Sequence, residues 1–161
     1  MAVSMYLKID GVPGDSTGSS FGDIEVLAYN HGVSQSATRA SAVGGGASGE
    51  CHHADFSIIK ALDSSSPLLA QKCSQGETIA TVLLTLVRTG TGAPVPYMTY
   101  KLEQAIISSI APSGAKESEW VTESVSFNYA KITWEFTKQK RADGSGGGKT
   151  TGAWDLVTHH A

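Results

Sequence analysis

The stretch SVSFNYAKITWEF, residues 124–136, decides how this chain folds. Val125, Phe127 and Tyr129 alternate with polar residues, the period of a strand with one buried face. Then the phase slips, and Ile132, Trp134 and Phe136 fall on the opposite parity. In a pleated strand a one-residue slip sends every later side chain to the other face. The pattern predicts a long strand, apolar on both faces, with a bulge or register change near Ala130 and Lys131. One face then fills the protein's own core, and the other needs a neighbouring subunit to cover it. Phe127, Tyr129, Ile132, Trp134 and Phe136 are therefore the core-or-interface candidates.

Strand signals continue outward from this stretch. Val3, Met5, Leu7 and Ile9 alternate strictly and end at the turn residues DGVPGDSTGSS. DIEVLAYNHGVSQSA (23–37) reads as two short strands around Gly32, CHHADFSII (51–59) as a weaker one, and ETIATVLLTLVRT (77–89) as a β-branched apolar one. YMTYKLEQAIISSIAP (97–112) has helix-forming residues. Yet Met98, Tyr100, Leu102, Gln104 and Ile106 alternate with Thr99, Lys101, Glu103 and Ala105, so a strand is expected. GAWDLVTH (152–159) completes about eight strands. The one helix signal is SSSPLLAQKCSQG (64–76). Serines precede Pro67 in the first turn, Leu69 and Cys73 share a face, and Gly76 stops the helix. Many short strands with glycine and proline turns and one helix give a mainly β fold: a small closed antiparallel barrel of two packed sheets, with one short flanking helix. With 161 residues and no linker or repeat, residues 1–161 are expected to form one domain.

Composition excludes several classes of function. Charged residues are only 17% of the chain and the net charge is −3, so there is no basic field for nucleic acid. No stretch approaches the roughly 20 apolar residues of a membrane-spanning helix, and Lys8 and Asp10 interrupt the place of a signal-peptide core. Synthesis in the cytoplasm without general export is the expectation. The 18 glycines in 161 residues exceed the average share of about 7%, and VGGGASG (43–49) and GSGGGK (144–149) read as loops. Cys51 and Cys73 are expected as reduced, mostly buried thiols.

Chemistry-bearing patterns are weak. GGGASG (44–49) has the glycine spacing of a dinucleotide loop but is followed by a strand, and GSGGGKTT has one residue too few for a phosphate loop. Cys51, His53 and Asp55 share one strand face, but a metal would need a further ligand, such as His159 or His160, so neither metal nor cofactor is expected. There is no nucleophile elbow. Asp23, Glu25, Asp55 and Glu103 form no acid/base pair in sequence, and KQKR (138–141) is a solvated strand end. No enzymatic activity follows.

Six blocks recur in this order in one family: MAVSMYLKIDGVPGDS, IEVLAYNHGVSQSA, a glycine-rich loop, KALDSSSPLLAQKCSQGE, YKLEQAIISSIAPSG and ESVSFNYAKITWEF. The chain resembles, essentially end to end, the haemolysin-coregulated proteins (Hcp) of the bacterial type VI secretion system. That resemblance implies a non-enzymatic β-barrel assembled as a homohexameric ring with an open pore. Rings stack into an inner tube that a contractile sheath drives out, behind tip (VgrG-like) proteins. Small secreted effectors are carried in the pore. The protein is then cytoplasmic before firing and secreted afterwards, without membrane insertion. By the same resemblance, Asn30 and His31 in LAYNHGVS face the pore and cargo. Arg39, Val43, Gly44, Gly45, Gly46 and Ser48 belong to a loop that touches the next ring, a role its length and composition also suit. The competing reading is a monomeric β-barrel that binds a ligand in its interior. A hydrolase is a more distant rival, because histidines 31, 52, 53, 159 and 160 suggest no Ser/His/acid cluster.

Overall fold

Apolar alternation builds the first strand as expected: in β1 (Ala2–Ile9), Leu7 and Ile9 are buried and Met5 packs against the core, while Val3 is exposed near the end. The protein is described here by a computed structural model covering residues 2–17, 19–37, 48–89, 93–140 and 146–161. Within these residues the chain continues as β2 (Ile24–Glu25), β3 (Ala28–Asn30), β4 (Val33–Ala37), β5 (Ser48–His53) and β6 (Phe56–Ala61). After α1 (Ser66–Gln75) come β7 (Ile79–Thr89), β8 (Val95–Ser113), β9 (Thr122–Asn128), β10 (Lys131–Gln139) and β11 (Gly146–Asp155). Nine strands join in one antiparallel sheet, ordered β2-β1-β7-β8-β9-β6-β3, with β10 beside β8 and β11 beside β10. Strands β4 and β5 pair separately.

Strand β8, 19 residues long, explains the phase slip. Its first half lies between β7 and β10, with Leu102 opposite both Val82 and Ile132. Its second half pairs with β9, where Ile107 is opposite Phe127. The stretch 124–136 is therefore two strands that add to different parts of β8. The slip at Tyr129 and Ala130 lies beside a matching slip in β8, where the Ala130 N–H donates to the Glu103 carbonyl at 3.1 Å. Gln104 there has φ of +52°. Leu102 is buried before this bulge and Ala105 and Ile107 after it.

The expectation of opposite faces is corrected accordingly. Val125, Phe127, Tyr129 and Ile132 are buried in one common core, with Trp134 packed against it. Adjacent strands change parity together so that the same core stays on the inside as the sheet turns a corner. The alternation expected through Gln104 and Ile106 fails for the same reason: Gln104 is exposed and Ile106 is 40% exposed. Corners also raise the strand count. The run 23–37 gives three strands rather than two, and the region 48–61 gives two.

A non-glycine residue in the left-handed region costs roughly 1–2 kcal/mol, part of which glycine returns as added freedom in the unfolded chain. Gln104→Gly is expected to raise stability by about 1 kcal/mol, seen as a Tm increase of about 2–4 °C in thermal unfolding. A fall in Tm would contradict the bulge.

The helix follows its sequence signals closely. Pro67 lies in the first turn, Leu69 is fully buried, Cys73 packs against the core, and Gly76 ends the helix at φ +62°. Ser65 is the N-cap residue, yet its hydroxyl donates to Asp63 rather than capping the helix. The glycine stretch at 144–149 is corrected in part, because Gly146, Gly147 and Gly148 lie in β11 against β10. A Cβ on Gly147 would stand 3.0 Å from the Lys138 carbonyl oxygen, so a side chain there crowds the partner strand.

Candidate functional site

Where β3, β6, β9 and the second half of β8 lie side by side, their outward residues form a surface of one character. Asn30 is opposite Ser57, Ser57 opposite Ser126, and Ser126 opposite Ser109. The next row reads Ala28, Ile59, Ser124 and Ala111. Ser57 Oγ and Ser126 Oγ are joined at 2.8 Å. Neither row carries a charge. The first carboxylate met beyond them is Asp55, which accepts from Ser108 Oγ at 2.7 Å and Asn128 Nδ2 at 3.1 Å. Around β8's first half the surface is different: Lys101 and Lys131 stand 3.6 and 3.9 Å from Glu103, and Lys149 stands 2.9 Å from Glu135.

Asn30 and His31 part company at this surface. Asn30 is exposed and lines a shallow hollow with Tyr29, Ser57 and Ser124. His31 instead turns among the rings of Phe56, Tyr100, Tyr129 and Trp134, at centroid distances of 5.4 to 6.4 Å. His53 joins the same cluster, stacked on Trp134 at 6.2 Å. Both imidazoles address one phenol. Tyr129 Oη lies 3.5 Å from His31 Nδ1, 3.4 Å from His53 Nδ1 and 3.3 Å from the Ala54 carbonyl oxygen. A phenol has one proton to give, so the arrangement closes if it donates to Ala54 and accepts an N–H from each imidazole. Burial, then the charge of His53, holds His31 below the ordinary histidine pKa; burial, then His52, does the same to His53. Burial also raises the Tyr129 and Tyr100 phenols, Tyr100 sharing a 3.1 Å hydrogen bond with Tyr29.

A second buried polar group anchors the helix. Lys60 and Glu123 face each other across β6 and β9, both essentially without solvent exposure, with Nζ 2.5 Å from Oε1. Asp63 Oδ1, Ser66 Oγ and the Ala61 carbonyl oxygen also lie within hydrogen-bond reach of Lys60 Nζ, and Ser66 Oγ donates to Glu123 at 2.7 Å. The group ties the start of α1 to the sheet. Sequence reading missed it although the signal was present: Lys60 shares the parity of Phe56 and Ile58, and Glu123 that of Val125 and Phe127.

The remaining candidates separate. Asp55 is held by Ser108 and Asn128, His53 by the Tyr129 cluster, and Cys51 lines a cleft with Trp154, Leu156 and His159. Among the described residues no three of these residue types are placed to hold a metal. Both cysteines are free and half-buried. Arg39, Val43, Gly44, Gly45 and Gly46 lie outside the described residues, and Ser48 opens β5 opposite Ala37. Phe127, Tyr129 and Ile132 are buried, Trp134 is half-buried, and Phe136 is 42% exposed.

A family model described as "Type VI secretion system effector, Hcp" matches residues 6–136. Protein hcp1 of Pseudomonas aeruginosa is 32% identical over 157 residues, covering 97% of this chain and 96% of that protein. A solved structure described as a type six secretion system protein superposes with a TM-score of 0.90 at 31% identity, over 99% of both chains. Hcp1 from Salmonella typhimurium superposes at 0.78 with 25% identity, again over 99% of both. Together with the mainly β fold and its single helix, these matches show that the chain belongs to the Hcp family of type VI secretion proteins.

Proposed function

We propose that the chain is a structural subunit of the type VI inner tube, closing as a homohexameric ring whose uncharged face, built on Asn30, Ser57, Ser126 and Ser109, lines the pore. That face is the observation carrying the reading. A channel passing varied cargo works best without fixed charge, which would retain some cargo and repel the rest. Six-fold closure comes from the family resemblance. A ring closing head-to-tail needs two different contact surfaces on each subunit. Exposed apolar residues are available for one of them. Leu62 is bonded to Val121 through the backbone, both side chains are exposed, and the neighbouring Trp120 is 67% exposed.

The same reading takes residues 1–161 as one domain and the sheet as a closed barrel. Closure is supported by the segment between β2 and β3, where the Val26 N–H donates to Met5 of β1 and the Leu27 N–H to Ile59 of β6. The β4–β5 hairpin carries the glycine-rich stretch assigned to ring stacking. Sheath and tip proteins and small effectors are the partners, with export from the cytoplasm by the secretion machine itself. No catalytic role is assigned; Asp55, two residues from His53, and Glu123, beside the buried Lys60, are committed to hydrogen bonds. The rival interior-ligand reading is disfavoured by a core filled with Leu7, Phe56, Phe127 and Ile132.

Asn30→Asp tests the orientation by adding one carboxylate per subunit at nearly constant shape. Rings are expected to form normally while retention of an acidic effector falls several-fold, read by co-purification. Dissociation of the rings would instead place Asn30 in a subunit contact.

A further inference from the structure

His31 and His53 stand at the two roots of the β4–β5 hairpin: His31 two residues before Val33, and His53 directly opposite Val33 in register. Both rings dock on the core through Tyr129 and Trp134. With each Nδ1–H given to Tyr129, the next proton on His31 must go to Nε2. That atom is buried and has no hydrogen-bond partner among the described residues. A proton there becomes a buried donor without an acceptor, beside a second imidazole that can also charge.

We propose that His31 and His53 form an acid-sensitive latch, which holds the root of the β4–β5 hairpin on the core near neutral pH and releases it when the imidazoles are protonated.

The surroundings offer little to neutralise such a charge. From β8 and β3 come the phenols Tyr100 and Tyr29, from the β9–β10 corner Tyr129, and from β6 and β10 the rings of Phe56 and Trp134. On β5 the neighbours are Cys51 and His52, itself a base. Asp55 is the nearby carboxylate, and it is engaged by Ser108 and Asn128 rather than by either imidazole. The sign follows. A histidine whose pKa is lowered on folding takes up its proton more readily in the open state. The latch is therefore intact above the ordinary histidine pKa of about 6.5 and weakens as pH falls below it. If the hairpin also carries the stacking loop, as proposed above, acid weakens stacking, but the test below reads the hairpin alone and stands apart from that reading.

Amide hydrogen exchange of the full chain, corrected for intrinsic rates, should be followed at about pH 7.5 and about pH 5. Protection at residues 33–35 and 51–53 should fall by at least about tenfold at the lower pH while protection in β7 and β8 persists. In the double variant His31→Phe, His53→Phe, which keeps the ring stack without the titration, hairpin protection should not change with pH. Unchanged protection in the natural chain, or equal loss in the variant, would overturn the latch. If circular dichroism shows the variant unfolded, histidine ring resonances of the natural chain decide: His31 titrating at or above the ordinary value overturns it, and titrating below supports it.

Discussion

Replacing Lys60 by methionine is expected to cost about 3–5 kcal/mol, a large part of a domain's total of about 5–15 kcal/mol. The reason is what remains behind. Lys60 is 0% exposed and Glu123 2%, and removing the ammonium leaves a carboxylate in the core with Ser66 as its remaining donor. Asp63 loses the same cation but keeps the N–H and hydroxyl of Ser65. The double variant Lys60→Met, Glu123→Leu removes both charges and should recover most of the loss, because apolar pairs of similar volume replace buried ion pairs at little or no cost. Urea unfolding followed by circular dichroism, at fixed protein concentration, measures both. A loss below about 1 kcal/mol in the single variant would place the pair in water, contrary to the structure.

Phe127→Ala is expected to cost a similar amount, about 3–5 kcal/mol. Phe127 is completely buried, with Phe56 and Ile107 opposite it on the two neighbouring strands, so truncation opens a cavity between three strands. Trp134→Ala should also destabilise the fold, though less, because Trp134 is half-buried and packs on the core beside His31 and His53. The corner at Tyr129 makes both effects losses of folding. Had the two parities faced opposite sides, Trp134→Ala would leave a fully stable subunit and weaken only its assembly. Thermal unfolding of the two variants distinguishes these outcomes.

Much of this fold is legible in the residues. Leu7 and Ile9, the Pro67 to Gly76 helix and the strand through 97–112 are local patterns, and local patterns survive into the structure because nothing distant competes with them. The corners are harder. The slip at Ala130 is visible, but a strand that changes partners and a strand with two buried faces produce the same sequence. The companion slip at Gln104 is hidden, because Gln104 and Ile106 happen to continue an alternation that the backbone abandons. Lys60 and Glu123 sit on core parity, yet their pairing is a matter of register between strands 63 residues apart in sequence. The meeting of His31 and His53 at Tyr129 depends on the hairpin between them and on a corner 76 residues beyond His53. No local spacing encodes it.

The central claim is a ring built from identical subunits, and native mass spectrometry of the purified chain tests it most directly. The account predicts a dominant species of about six times the 16.8 kDa subunit mass, persisting on dilution to low micromolar concentration. A folded chain that remains at 16.8 kDa under the same conditions would contradict it.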